Sequence, residues 1–240
     1  ASTRLAVVMD ADNANPKVTD ELLAEVARFG VASVRRAYGD WTTPQLGGWK
    51  SVLLDHSIQP MQQFANTKGK NATDSALIID AMDLLHSRRL EGFCIVSSDS
   101  DFTGLARRIR EDGLLVIGFG ERKTPKPFVV ACDRFIYTEL LVAQPAEAAA
   151  TPKRPAKADP ALVALIHRAV EASSGDDGWA HLGAVGSNIA KQQPDFDSRA
   201  HGFPKLSDLV KAIPAFKVEA RAGADGKSKT LYIRDARQRG

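Results

Sequence analysis

The sequence predicts an α/β protein: a parallel sheet with helices on both faces, followed by a small winged helix-turn-helix domain. Three observations carry this. Over the first 142 positions, short apolar runs alternate with amphipathic stretches of about ten residues, the rhythm of βαβ units. A stretch rich in Ala, Pro and basic residues, 143–158, breaks that rhythm and reads as a linker. Beyond it, three helical periods and two short strand-like runs around a turn fit into 159–240, the layout of a winged helix.

Residues 5–9 (Leu-Ala-Val-Val-Met) form a continuous apolar run, as in a strand buried on both faces. A polar loop follows at 10–15. Asn15-Pro16 reads as a helix start, with Asn as cap and Pro at the first helical position. Leu22, Leu23, Val26, Ala27 and Phe29 keep helical spacing until Gly30. Residues 31–38 read as a second strand, 39–43 as a loop holding Trp41, and 44–56 as a helix through Leu46, Trp49, Val52 and Leu53. A weaker third strand spans 58–64. The polar loop 66–71 carries Lys68, Lys70 and Asn71. Residues 72–87 show the widest apolar helical face in the chain, with Asp74 in the first turn.

The fourth strand is 92–96, followed by a helix at 102–111 that Gly113 ends. A fifth strand covers 114–119, a helical turn or loop 124–131, and a last short strand 134–137. After the linker, 160–172, 179–189 and 205–213 read as helices. Residues 216–220 and 229–233 read as strands on either side of a hairpin loop at 222–226. Trp179 and Phe203 read as core rather than as stacking platforms.

Of the 240 residues, 44% are hydrophobic and 25% charged, which suits a globular protein of one large or two ordinary domains. No apolar run approaches the roughly 20 residues of a membrane-spanning helix. The first residues lead straight into a strand, without the basic-then-apolar leader of a signal peptide. The chain begins with Ala rather than Met, which leaves a removed leader open. Cys94 and Cys132 lie in apolar surroundings and read as buried free thiols of a reducing, cytoplasmic compartment. Neither they nor the five histidines show zinc-site spacing. Residues 1–142 hold 17 basic and 18 acidic residues; 143–240 hold 15 and 11, a modest hint of an anionic partner for the C-terminal part.

The chemistry concentrates where apolar runs end in acid. The first strand ends at Asp10, with Asp12 and Asn13 just behind. The fourth ends in Ser97-Ser98-Asp99-Ser100-Asp101. In parallel α/β sheets, ligands sit beyond the carboxyl ends of the strands, where strand order reverses. Carboxylates converging there repel one another and lose hydration. A hard divalent cation, Mg²⁺ or Mn²⁺, relieves both costs. Such an ion lowers the pKa of a bound water and stabilises charge on a transferring phosphate. Asp74 joins this site if its helix starts there, with Lys68 and Lys70 lying where a phosphate chain approaches. The competing reading is purely structural: Asp99 or Ser100 caps a helix, and Asp74 complements a helix dipole.

Five segments resemble, in order, the LabA-like branch of the NYN domain, within the PIN-like nuclease superfamily: Val8-Met-Asp-Ala-Asp-Asn13, Lys70-Asn-Ala-Thr-Asp-Ser-Ala-Leu-Ile-Ile-Asp80, Val96-Ser-Ser-Asp-Ser-Asp-Phe102, Gly113-Leu-Leu-Val-Ile-Gly-Phe-Gly120 and Ala131-Cys-Asp-Arg-Phe-Ile136. The resemblance implies a three-layer domain over residues 1–142 and a metal-dependent ribonuclease site. It places Asp10, Asp74, Asp99 and Asp101 at the catalytic, metal-ligand positions, with Asp12, Asn13, Asn71, Asp80 and Ser98 in support. Asp80 stands six residues beyond Asp74, about 120° further around a helix, so both cannot point at one ion.

The C-terminal part is similar to a LOTUS (OST-HTH) domain, through Gly178-Trp-Ala-His-Leu-Gly-Ala-Val-Gly-Ser-Asn-Ile189 and His201-Gly-Phe-Pro-Lys-Leu-Ser-Asp-Leu-Val210. That resemblance implies an RNA-binding winged helix, in some members a protein-binding one, in an order found in bacterial proteins of this kind. Lys191, Arg199, His201, Lys205 and Lys211 are candidate phosphate contacts, against the alternative of a solvated helix face. The expectation for the whole chain is a metal-dependent endoribonuclease. Two alternatives stand beside it: a non-catalytic RNA-binding scaffold, and a DNA nuclease or phosphatase sharing the acidic site.

Overall fold

A computed structural model of the chain describes residues 2–64, 72–142, 159–222 and 229–237. The chain divides into two compact units, Ala1–Ala143 and Gln144–Gly240. The predicted linker 143–158 and most of the hairpin loop lie outside the described residues.

In the first unit, the strands are β1 (Arg4–Asp10), β2 (Val31–Gly39), β3 (Gln59–Gln62), β4 (Gly92–Val96), β5 (Leu115–Gly120) and β6 (Arg134–Tyr137). Among the described residues they form one sheet in the order β3-β2-β1-β4-β5-β6, parallel throughout. The chain lays down β1, moves outward through β2 and β3, then returns across β1 to start β4 on its other side. Strand order therefore reverses between β1 and β4.

Residues of β1 are buried on both faces, and alternate ones enter different cores. Ala6 and Val8 pack with Phe93 and Ile95 of β4 beneath α3 (Ala72–His86), α4 (Thr103–Glu111) and α5 (Lys126–Ala131). Leu5, Val7 and Met9 pack with Cys94 and Val96 against α1 (Thr19–Val26), α2 (Trp49–Asp55) and partly buried Leu141 of α6 (Glu139–Val142). These are the three layers. The helix expected from Asn15 begins as a 3-10 turn, Pro16–Val18, with the Asn15 side chain accepting from Lys17 N. The 44–56 helix is likewise a 3-10 turn, Pro44–Gly48, running into α2. Gly30 follows α1 because a Cβ there would stand 2.2 Å from the Thr3 carbonyl oxygen. Gly113 ends α4 in the left-handed region, φ 81°, where a side chain is disfavoured.

The second unit is a winged helix. It holds α7 (Pro160–Glu171), β7 (Ala180–His181), α8 (Leu182–Gln192), α9 (Leu206–Lys211), β8 (Phe216–Ala222) and β9 (Lys229–Asp235). Its sheet runs β7-β9-β8 and is antiparallel. Leu165, Ile166, Val185, Ile189, Leu209, Val210 and Ile233 share its core. The stretch expected as one helix from Trp179 is a correction. Ala180 pairs with Ile233 and His181 with Tyr232, and the helix starts only at Leu182, where His181 Nδ1 accepts from Gly183 N. Trp179 is buried under two guanidinium groups, Arg221 at 4.9 Å and Arg234 at 4.8 Å from its ring centre.

Candidate metal centre

The β1–β4 register sets the floor of the site. Met9 lies beside Val96, so Asp10 and Ser97 are the next neighbours along the two strands. Alternation turns both toward the α3/α4 layer. Asp10 is 0% exposed. Its Oδ2 accepts from Ser97 Oγ at 2.9 Å and Asn13 Nδ2 at 2.8 Å, while its Oδ1 is buried without a partner. Burial raises the Asp10 pKa above the carboxylate range, opposed by the hydrogen bonds from Asn13 and Ser97.

Past the end of β4 the chain turns into a 3-10 helix, Ser100–Phe102, capped by Asp99, whose Oδ1 accepts from Asp101 N at 2.9 Å. The capping role foreseen as a competing reading is therefore present. The cap uses one carboxylate oxygen of Asp99, so capping and ion binding do not exclude each other. Asp74 enters from the first turn of α3 and is 7% exposed. Burial, then the charges of Asp10, Asp99, Asp101 and Asp12, push its carboxyl up to about 6. Asp74, Asp99 and Asp101 each offer an oxygen within 4.8 Å of the others, the one such acidic trio among the described residues. Asp10 lies outside that trio, though its charge is the largest of those acting on Asp74.

An all-carboxylate set, one member with a raised pKa and a buried neighbour with an unpartnered oxygen, fits a hard divalent cation and does not fit a soft one. Asp74, Asp99 and Asp101 would supply the direct oxygens, and Asp10 the charge beneath them.

The remaining expected residues fall into separate places. Asp12 is exposed and accepts from Thr73 Oγ1 at 2.8 Å, tying the loop after β1 to the start of α3. Asn13 orients Asp10. Ser98, expected beside the carboxylates, turns to the opposite layer, where its Oγ accepts from Glu121 N at 2.9 Å. There it lines a small cavity of about 20 Å³ with Asn13, Val96, Glu121 and Thr138. The serine that touches Asp10 is Ser97, which sequence reasoning passed over. Asp80 does not enter the pocket; it is bonded to Arg36 and Tyr38. Lys68, Lys70 and Asn71 lie outside the described residues.

In the second unit, Lys191, His201, Lys205 and Lys211 are exposed. Arg199 differs: its guanidinium grips both oxygens of Asp197, with Nη2 at 2.7 Å and Nε at 3.0 Å. It is committed to capping geometry within its own turn.

The profile of the NYN domain matches residues 4–141, and that of the OST-HTH/LOTUS domain matches residues 153–227. Among curated proteins, none matches the chain. Among solved structures, the chain is similar to a protein of unknown function from Vibrio parahaemolyticus, at 17% identity over 56% of this chain and 91% of that one, TM-score 0.47. An uncharacterised protein of Nitrosomonas europaea matches at 42% identity over 41% of this chain and 90% of its own, TM-score 0.32. A Chromobacterium violaceum protein fragment matches at 34% over 36% and 91%, TM-score 0.29.

Proposed function

We propose that this chain, which belongs to the NYN domain family of the PIN-like nuclease superfamily, is a metal-dependent endoribonuclease. Residues 1–142 are the nuclease unit, 143–158 a linker, and 159–240 the RNA-binding unit. The observation that carries the reading is the Asp74–Asp99–Asp101 trio, with oxygens within 4.8 Å, standing over buried Asp10 where strand order reverses. A structural cap needs one carboxylate; it gives no reason to crowd a third, buried one against it.

Mg²⁺ or Mn²⁺, when bound, supplies charge for the phosphoryl oxygens and a more acidic water. The protein's residues do the rest. Asp74, Asp99 and Asp101 hold the ion. Asp10, fixed by Ser97 and Asn13, adds negative charge from below without reaching solvent. Asp99 or Asp101 accepts the proton of the attacking water. That oxygen forms a bond to phosphorus, and the bond to the leaving ribose oxygen breaks in line. Lys68 and Lys70 guide the incoming strand, and the exposed Lys191, His201, Lys205 and Lys211 contact phosphates from the second unit.

The test is cleavage of end-labelled RNA, with a DNA strand of the same sequence alongside, in Mg²⁺ and in Mn²⁺. Wild type cuts RNA, and Asp99→Asn loses about 100-fold or more, beyond the usual cost of disturbing a ligand's own supports. Equal rates for the two proteins would sink the site. Faster cutting of DNA would favour the DNA-nuclease alternative, and tight RNA binding with no cutting by wild type would favour the scaffold. Among the described residues no helix is long and apolar enough to cross a membrane. From its buried free thiols we place the protein in the cytoplasm, with RNA as its partner and the LOTUS-like unit as the surface to test for a protein partner.

A further inference from the structure

We infer that Arg36, Tyr38 and Asp80 form a clamp that fixes the rotation of α3 and so sets Asp74 over the strand ends. They are positioning residues for the metal centre, and this rests on the metal-dependent reading above.

Asp80 follows Asp74 by six residues, about 9 Å along the helix and about 120° around it. It therefore faces the sheet where Asp74 faces the crevice. Arg36 Nη1 donates to both Asp80 oxygens, at 2.6 and 2.7 Å, and the Tyr38 hydroxyl donates to Oδ2. Arg36 and Tyr38 stand two apart on β2, hence on one face of the sheet. Tyr38 is also the register partner of Asp10. The clamp thus starts from the residue next to the floor of the site.

The surface of α3 explains why a polar fixture is needed. Leu77, Ala81 and Leu85 are buried, Ile78, Met82 and Leu84 are half-buried, and Ile79 is 64% exposed. Ile78, Ile79, Met82 and Leu84 widen the apolar surface well beyond the buried stripe of Leu77, Ala81 and Leu85, so that surface specifies the rotation only loosely. Apolar contact alone would hold α3 on the sheet and still let it turn. One guanidinium nitrogen shared between both carboxylate oxygens, with a hydroxyl donating to one of them, is directional and holds the helix near one setting. The setting matters because a turn of about 20° moves a side-chain end roughly 6 Å from the axis by about 2 Å, and near 1 Å is enough to spoil a reacting geometry.

The experiment uses the full chain and two variants, Tyr38→Phe and Asp80→Asn, with Ile136→Val on the opposite layer as a control for lost stability. Mn²⁺ affinity is measured by calorimetry, RNA cleavage is measured against Mn²⁺ concentration, and amide exchange is followed at residues 76–78. The clamp predicts about 10-fold weaker Mn²⁺ binding in both variants, cleavage restored by excess Mn²⁺ with an unchanged KM for RNA, and faster exchange at 76–78. Ile136→Val keeps wild-type Mn²⁺ affinity. Folded Tyr38→Phe with wild-type affinity and exchange would overturn the clamp. If wild type itself neither binds Mn²⁺ nor cuts RNA, the functional reading falls, and exchange decides alone. Faster exchange at 76–78, with α4 unchanged, upholds the clamp, and no change removes it.

Discussion

Replacing Asp74 by Asn should make the metal-free protein more stable at neutral pH while abolishing its response to metal. The carboxyl is raised from 3.8 to about 6 in the fold, by burial first and then by its acidic neighbours. The folded protein therefore holds this proton more tightly than the unfolded chain does. The stability linked to it is complete below pH 3.8 and is lost as pH rises through about 6. At about 1.4 kcal/mol per tenfold, ionising Asp74 costs the fold at most about 3 kcal/mol, and about 2 kcal/mol once solvent screening at the mouth of the crevice is allowed for. For a unit of this size, each kcal/mol moves the melting temperature by about 3–5 °C. Asp74→Asn should thus melt about 5–10 °C higher than wild type in chelator at about pH 7.5, and at nearly the same temperature at about pH 4. Adding Mn²⁺ should raise wild type and leave the variant where it was. Scanning calorimetry of both proteins, at both pH values, with and without metal, measures all of this. Identical melting temperatures at neutral pH in chelator would refute the claim that these carboxylates strain one another.

Other expected outcomes are simpler to state. Ser97→Ala removes a donor to Asp10 and should weaken Mn²⁺ binding about 10-fold, as read by calorimetry, with Ser98→Ala closer to wild type. Deleting residues 159–240 should weaken RNA binding in a filter or anisotropy assay yet leave metal-dependent cleavage in place; a deletion protein that binds RNA as well as the full chain rejects the division of labour. Within the second unit, the triple change of Lys191, Lys205 and Lys211 to Ala should flatten the salt dependence of RNA binding by about two to three phosphate contacts. Arg199→Ala should instead lower the melting temperature and leave that slope alone.

The sequence announced the parallel sheet because apolar runs and helical periods alternate cleanly, and it announced Asp10, Asp99 and Asp101 because they follow such runs, while Asp74 showed itself only as an acid in the first turn of a helix. Three of the four aspartates bring oxygens within 4.8 Å of one another, since β4 and α3 deliver their ends to one crevice. What stayed hidden depends on pairing between strands distant in sequence. Ser97 and Ser98 look alike until the β1–β4 register decides which faces Asp10. The bonds of Asp80 require knowing that β2 lies under α3. The segment at Trp179 misled because Trp-Ala-His-Leu has neither a helical nor a strand period, and only the pairing with β9 decides it. Arg199 reads as a free cation until its neighbour Asp197 is seen to hold it.

The place of β1 and β4 in the sheet has a consequence for how the molecule comes apart. Both strands are interior, flanked on each side by others, and their residues are almost wholly buried. The edge strand β3 is four residues long and mostly exposed. Local opening begins at such edges and reaches central strands only with global unfolding. Fraying of β3 can therefore come and go many times while Asp10 and Ser97 keep their seats. Asp74 is held from α3, which is tied through Asp80 to β2, the neighbour of that edge, and this makes it the member of the set whose motion would set the pace of loading and release.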